Sequence, residues 1–351
     1  MKLSDIVDRI NGNVDRFTTD LEYYIGGEHI DSCELEITRG GNLKENLGKL
    51  GFKFHFAFQD RDVIFMARNP HLRKAGMVMF SGLCSDASYI LRSKDENIIT
   101  QEFLAVQLQS DHFWDYCERT KVGSVNFANN WTSIANYEFD LPSIDKQKKI
   151  AKKVWAAYNL KKSYRKLLSA TQEMVKSRFI EMFKGDNQVP LGDICNIEKG
   201  ATITRNDVLH GEVPVVAGGQ EPSCYHNVAN REAGAITVSA SGAYAGYINF
   251  WNCPIFASDC NTIISKDDEK TDQTFVYFGL RAMQKQIYGL QKGGAQPHVY
   301  GKDLQKFMFP CPSYAKQIEF SKMAKQADKS GFELRKSIEA IDQVIKSLIN
   351  G

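Results

Sequence analysis

The chain writes one passage twice. DLPSIDKQKKIAKKV opens at Asp140, and PCPSYAKQIEFSKMA opens at Pro310. A shift of 170 positions pairs Pro142 with Pro312, Ser143 with Ser313, Lys146 with Lys316 and Gln147 with Gln317. The match continues without a gap through Arg165/Arg335, Ala170/Ala340 and Ser177/Ser347. Apolar positions agree where identity fails: Ile150, Val154, Leu168, Val175 and Phe179 meet Phe320, Ala324, Ile338, Ile345 and Ile349. An internal repeat of this kind constrains the fold more than any single motif, because it requires two copies of one architecture.

Each copy predicts a long helix. From Ile144 to about Met182 there is no Pro or Gly, and apolar residues recur at steps of three and four. Ser143 stands at the N-cap position after Pro142, and KGDNQVP ends the helix at Gly185 with turn formers. About 38 helical residues at 1.5 Å each span roughly 57 Å, the length of about 17 base pairs. The second copy follows Pro312 in the same way, with a kink or weak point expected at Gly331. Neither helix can bury its narrow seam alone, and the seams match, so each is the natural partner of the other in a coiled coil. The alternative is that each helix packs on its own neighbouring domain.

A weaker duplication lies between and before the helices. GLCSDASYIL at Gly82 resembles IFASDCNTII at Ile255, pairing Ser85-Asp86 with Ser258-Asp259. Ahead of them DVIFMARNPHLRKAGMV answers AITVSASGAYAGYINF, each reading strand, polar turn, strand. Behind them EFLAVQLQSDHFWDY and TFVYFGLRAMQKQIY each read as one helix of about a dozen residues. KVGSVNFANNWTSIANYEFDLP and KGGAQPHVYGKDLQKFMFPCP then read as a Gly turn, a polar loop, a short helix and an apolar strand. The expected fold is α+β: two mixed-sheet domains with short helices, residues 1–142 and 185–312, alternating with long helices at 143–184 and 313–351 that pair antiparallel under a pseudo-two-fold repeat.

Composition narrows the class. With 43% hydrophobic and 25% charged residues the chain reads as globular. MKLSDIVDRINGNVDRF carries charges throughout and has no apolar core of a signal peptide, so a cytoplasmic protein is expected. No apolar run approaches a membrane span, and membrane association is not expected. The eight cysteines form no C-x-x-C pair and are expected to be reduced thiols. Charge is placed unevenly: residues 145–184 carry a net +9 and residues 314–351 only +2.

The parts of an enzyme are missing. GNLKENLGKL lacks the upstream Gly and following Ser/Thr of a phosphate loop. No G-x-G-x-x-G follows a strand, and RNPH at Arg68 lacks the second Pro and the aromatic residue of amino-methyltransferases. The seven histidines are dispersed, so neither a metal nor a cofactor is expected. Asp86 and Asp259 recur at equivalent places. Each reads as a residue capping its own turn, since neither has a second acid or Lys at useful spacing.

What remains is a set of polar donors in loops. In the first domain they are Arg39, Lys44, Arg68, His71, Arg73, Lys74, Arg119, Lys121, Asn126, Asn129 and Asn130. In the second they are Thr204, Arg205, Gln220, Ser239, Ser241, Tyr244, Lys292, Gln296 and His298. Arg, Asn and Gln make bidentate contacts to purine edges, while Lys and Ser mostly hold phosphates. Taken singly, each also reads as an ordinary solvated loop residue. Both copies, however, put such donors in the same loops, around Gly123–Asn130 and Gly293–His298.

The order of domain, helix, domain, helix resembles the specificity (S) subunit of type I restriction–modification systems. The residues carrying the resemblance are GGEHID near Gly26, AGGQEPSCYHN near Gly218, the two Ser-Asp pairs, and the LP…KQ and CP…KQ passages leading into the helices. VPLGDICNIEKG, Val189 to Gly200, resembles the opening strand and turn of a target recognition domain. The first domain lacks a clear counterpart of it, which marks Met1 to Thr19 as a variant element. The resemblance implies a non-catalytic reader of double-stranded DNA, each domain taking half of a bipartite sequence and the antiparallel helices acting as spacer. It also implies two methyltransferase (M) subunits as partners and, in complexes that cleave, restriction (R) subunits. Two other readings compete: a coiled-coil scaffold without DNA binding, and a self-sufficient nuclease or methyltransferase.

Overall fold

The computed structural model describes residues 1–351 and divides into two compact units. One comprises Met1–Tyr164 with Ser337–Gly351, the other Arg165–Lys336. The long helices run Ile144–Phe183 and Tyr314–Asn350, so each contributes to both units.

The first unit holds a five-stranded sheet and a four-stranded sheet. The central strand of the larger sheet, Val63–Met66, is buried at every position, which explains its unbroken apolar run VIFM. It lies between Ala75–Val78 and Ser88–Ser93, both antiparallel to it. Phe65, Phe113, Trp114 and Tyr137 are almost wholly buried in the core between sheet and helices. The second unit repeats the plan. Ile236–Ser239 lies between Ile248–Phe250 and Cys260–Ser265, and a three-stranded sheet stands beside that one.

The apolar seams pack differently in the two units but in the same sense. In the first, Val154 and Tyr158 of the first long helix cluster with Ile345, Leu348 and Ile349 of the second. Lys161 there bridges Asp342 at 2.6 Å. In the second unit Phe179 meets Phe320 edge to face at 5.3 Å, joined by Phe183, Phe275 and Phe309. Early residues of one helix meet late residues of the other in both cases. The pairing is antiparallel, as the matching seams predict.

Three local expectations are corrected. Gly331 does not interrupt its helix: Tyr314–Asn350 is continuous through it. It is buried, and a β-carbon there would stand 3.3 Å from Leu168 Cδ1, so the small residue permits close helix approach. The dozen-residue helices are each split in two. Ser110 starts a new helix by accepting from the Phe113 amide, dividing Gln101–Gln107 from Asp111–Thr120. In the second unit Met283, at φ −93° and ψ 14°, separates Gln273–Ala282 from Gln284–Tyr288.

The third correction concerns the N-terminus. Leu3–Ile6 is a helical turn followed by strand Val7–Ile10, as Leu191–Ile194 is followed by Cys195–Lys199. LSDI therefore answers LGDI. The Leu3 amide donates to Tyr137 O and the Leu191 amide to Phe307 O, both at 2.8 Å. Lys94 Nζ and Lys266 Nζ donate to the carbonyls of Ser4 and Gly192. The opening element is the counterpart of VPLGDICNIEKG rather than a variant.

Candidate nucleic-acid interface

In both units one loop of the larger sheet is tied to a Gly-initiated hairpin. In the first unit the loop after Val63–Met66 carries Arg68, and the hairpin runs from Val122 to Ala128. Arg68 and Val122 both bridge Ala128, the Asn69 amide donates to Phe127 O at 2.9 Å, and the Asn129 amide donates to Ala67 O at 2.9 Å. In the second unit the loop after Ile236–Ser239 carries Ser241, and the hairpin runs from Lys292 to His298. Ser241 and Lys292 both bridge His298, and the Gly242 amide donates to Pro297 O at 3.0 Å.

The hairpin turns are built alike. Gly123 has φ +109° and Gly293 φ +97°, a region closed to most L residues. A β-carbon at Gly123 would lie 2.5 Å from Asn126 O, and one at Gly293 would lie 2.8 Å from Gln296 O. Asn126 and Gln296 thus occupy one position of one turn, and both are exposed.

Arg68, His71 and Asn126 are exposed in the first unit, and Arg68 bridges the hairpin at Ala128. Val125, 83% exposed, forms the hairpin tip, and the Lys121 ammonium lies 4.6 Å from the Phe127 ring while pairing with Glu118. Arg119 Nε reaches back to Asp115 O at 3.3 Å. Arg73 is held by Asp111 at 2.6 Å, and Lys74 donates to Gly27 O at 2.6 Å. Arg39 pairs with Asp31, and Lys44 is exposed on the short helix Leu43–Asn46; neither is brought to the hairpin.

Two residues of the set have structural work instead. Asn129 is 1% exposed, and its amide nitrogen donates to Cys117 O and Thr120 Oγ1, pinning the hairpin to the helix Asp111–Thr120. Ser239 is 4% exposed and lies in a strand, not a turn. Both side chains are buried, which leaves them almost no surface to offer a base or phosphate. Asn130 is exposed, and its side chain caps helix Trp131–Ala135 by accepting from Ser133 N at 2.8 Å.

In the second unit a third loop joins the other two. A β-carbon at Gly218 would meet Ser241 O at 2.7 Å, and the exposed Gln220 holds Asn249 through its carbonyl at 2.8 Å. Tyr244, Lys292 and Gln296 are exposed there, with Lys292 paired to Asp303 at 2.7 Å. Thr204 and Arg205 stand on a separate exposed turn, where Thr204 donates to Asp207 and holds that carboxyl below its usual range.

Asp86 and Asp259 do not cap their own turns. Asp86 pairs with Lys53 at 2.8 Å, and Asp259 accepts a hydrogen bond from Ser241 Oγ. In the first turn it is Ser85 Oγ that accepts from a backbone amide, that of Ala87, at 3.3 Å.

Sequence reasoning missed Tyr300 and Lys302. The Tyr300 ring lies parallel to His298 with centroids 5.9 Å apart, and Lys302 Nζ stands 5.6 Å from it. The alternation H-V-Y, with Val299 buried between them, was the available signal. No cluster of His, Cys, Asp and Glu is placed to hold a metal ion, and no helix is long and apolar enough to cross a membrane.

The family model described as the type I restriction modification DNA specificity domain matches twice, over residues 1–167 and 185–343. The chain belongs to this family. It is a specificity subunit of a type I restriction–modification system, a DNA-recognition component that is not itself catalytic. No curated protein matches it. Among solved structures it is similar to the type I restriction–modification S subunit from M. genitalium, at 14% identity and TM-score 0.66, over 99% of this chain and 94% of that one. A chain from a study of complex assembly and conformational transition in the type I system aligns at 17% identity and TM-score 0.55, over 99% and 95%. These likenesses extend the fold over both repeats. The family model, too, matches each half of the internal repeat separately.

Proposed function

We propose that residues 1–142 and 185–312 are two target recognition domains, each reading one half of a bipartite sequence in double-stranded DNA. Residues 143–184 and 313–351 are the spacer helices, which set the distance between the half-sites and dock two M subunits. The observation carrying this reading is that both domains build the same interlocked pair of loops, with Asn126 and Gln296 at one hairpin position. Asn and Gln read adenine edges in the major groove, and Arg68, His71, Ser241, Tyr244 and His298 stand next to them. Arg73, Lys74, Lys121, Gln220 and Lys292 serve as phosphate or register contacts around that centre, while Lys44, Thr204 and Arg205 serve as phosphate contacts away from the hairpins.

Five exposed lysines, Lys146, Lys148, Lys149, Lys152 and Lys153, open the first spacer helix and account for much of its charge. They suit a phosphate backbone or an acidic face of an M subunit. R subunits join where the system cleaves, and the complex works in the cytoplasm, where its DNA lies.

The test removes readout from one domain. Gln296→Ala with His298→Ala, co-expressed with the M subunit, is expected to relax base choice in one half of the methylated motif and leave the other half intact. Equal loss at both halves contradicts separate reading by the two domains.

A further inference from the structure

The two units differ at one edge of their larger sheets. In the first, the connection Gly26–Gly40 supplies strand Glu36–Ile37, parallel to Ala75–Val78. The Met77 amide donates to Leu35 O at 2.8 Å, and the Leu35 side chain is buried with Val106, Val154 and Tyr158. The flanking Glu34 and Glu36 meet Lys161 and Lys162. Gln109 fastens the segment by donating to the carbonyls of both Glu34 and Ala75.

In the second unit the corresponding connection, Ala217–Ser223, has seven residues against fifteen and contributes no such strand. Strand Ile248–Phe250 therefore pairs only with Ile236–Ser239 and ends the sheet. Arg281 takes the place of Gln109: it donates to Ile248 O at 3.1 Å, as Gln109 does to Ala75 O. Where the first unit buries Leu35, the second has a cavity of about 260 Å³ lined by Val175, Tyr277, Phe278, Arg281, Asp328 and Arg335. The repeat register puts Gly331 in the place of Lys161 and Asp328 in the place of Tyr158, which widens the space.

We propose that this edge and cavity bind an extended peptide of a partner protein. The peptide adds a strand parallel to Ile248–Phe250, puts a large apolar side chain into the cavity and presents a carboxylate to Arg281 and Arg335. The chain's own Glu34-Leu35-Glu36 is the template, seated on the same surface of the other repeat. The charge fits: Lys176 is taken by Glu173 at 3.0 Å, which leaves two guanidinium groups facing one carboxylate, Asp328. An open sheet edge supplies main-chain hydrogen bonds for affinity, and the cavity supplies side-chain selection. This inference stands apart from the DNA-reading proposal, because no step of it uses the hairpins.

The probe is a fluorescein-labelled peptide of residues 31–37 carrying Cys33→Ser, titrated with the full chain and followed by anisotropy. Saturable binding is expected below about 1 mM, strengthened about threefold by Leu35→Phe in the peptide and lost with Leu35→Asp. In the protein, Arg281→Ala and Ala282→Trp are each expected to weaken binding about tenfold with an unchanged thermal midpoint. No saturation by either the Leu or the Phe peptide overturns the proposal. So does binding that Leu35→Asp leaves unchanged. A chain that sediments as a dimer, and is returned to monomer by Ala282→Trp, would make a second copy the occupant and overturn the partner reading.

Discussion

Gln317 repeats in the second unit the hydrogen bonds that Gln147 makes in the first. Gln147 Oε1 accepts from Thr100 N at 3.1 Å, and its Nε2 donates to the carbonyls of Ile98 and Pro142. Gln317 Oε1 accepts from Asp272 N at 2.9 Å, and its Nε2 donates to those of Lys270 and Pro312. Both side chains are buried, so each satisfies three backbone groups that water cannot reach. The recurring Lys-Gln of the duplicated passage is thus the joint between domain and helix. Gln147→Leu or Gln317→Leu should cost about 2–4 kcal/mol, several times the usual price of one hydrogen bond, read as a shift in the urea midpoint at constant slope.

Gly331 and Leu168 set a second expectation. If the glycine serves close approach, Gly331→Val overpacks the seam and lowers stability by about 1–3 kcal/mol. Were it only a weak point in the helix, removing glycine would stabilise by up to about 1 kcal/mol. Denaturant titration separates the two by sign.

Gly123→Ala and Gly293→Ala force a β-carbon onto a carbonyl at positive φ. Each should destabilise its own unit by about 1–3 kcal/mol and raise hydrogen exchange in that hairpin alone. Equal exchange changes in both hairpins from one substitution would contradict independent heads.

Three buried thiols give the fold a pH limit. Burial pushes Cys84, Cys195 and Cys260 up from 9.0 to about 12. The folded pKa lies above the unfolded one, so their contribution is complete below pH 9 and is lost as pH rises from 9 to about 12. Melting scans should show the thermal midpoint falling over that window. At pH 8 a thiol reagent should modify exposed Cys253 well before these three.

The long helices and the α+β plan were legible in the sequence because a 3.6-residue period and a gapless repeat survive in the residues themselves. The N-terminal counterpart was not. Leu3 and Leu191 lie 188 positions apart rather than 170, because the first unit is longer between Ile25 and Val63, both in the Gly26–Gly40 connection and in Leu43–Asp62, which carries helix Leu43–Asn46 and strand Phe54–Phe58. The pairing of the loops was legible too. The hairpins around Gly123 and Gly293 were correctly paired as equivalents, yet Asn129 and Ser239 were read as surface donors. Their burial depends on neighbours distant in the chain, such as Cys117 and Gly219, which no local pattern records. Tyr300 escaped for a different reason: its stacking on His298 was open to reading from the local alternation around buried Val299.

The most direct measurement is to co-express this chain with its M subunit and map methylated adenines across the host genome by long-read sequencing. The account predicts a two-part motif with a fixed unread gap, and a shorter gap when in-register segments are deleted from both long helices. Methylation at a single continuous motif, or none from an assembled complex, would contradict it.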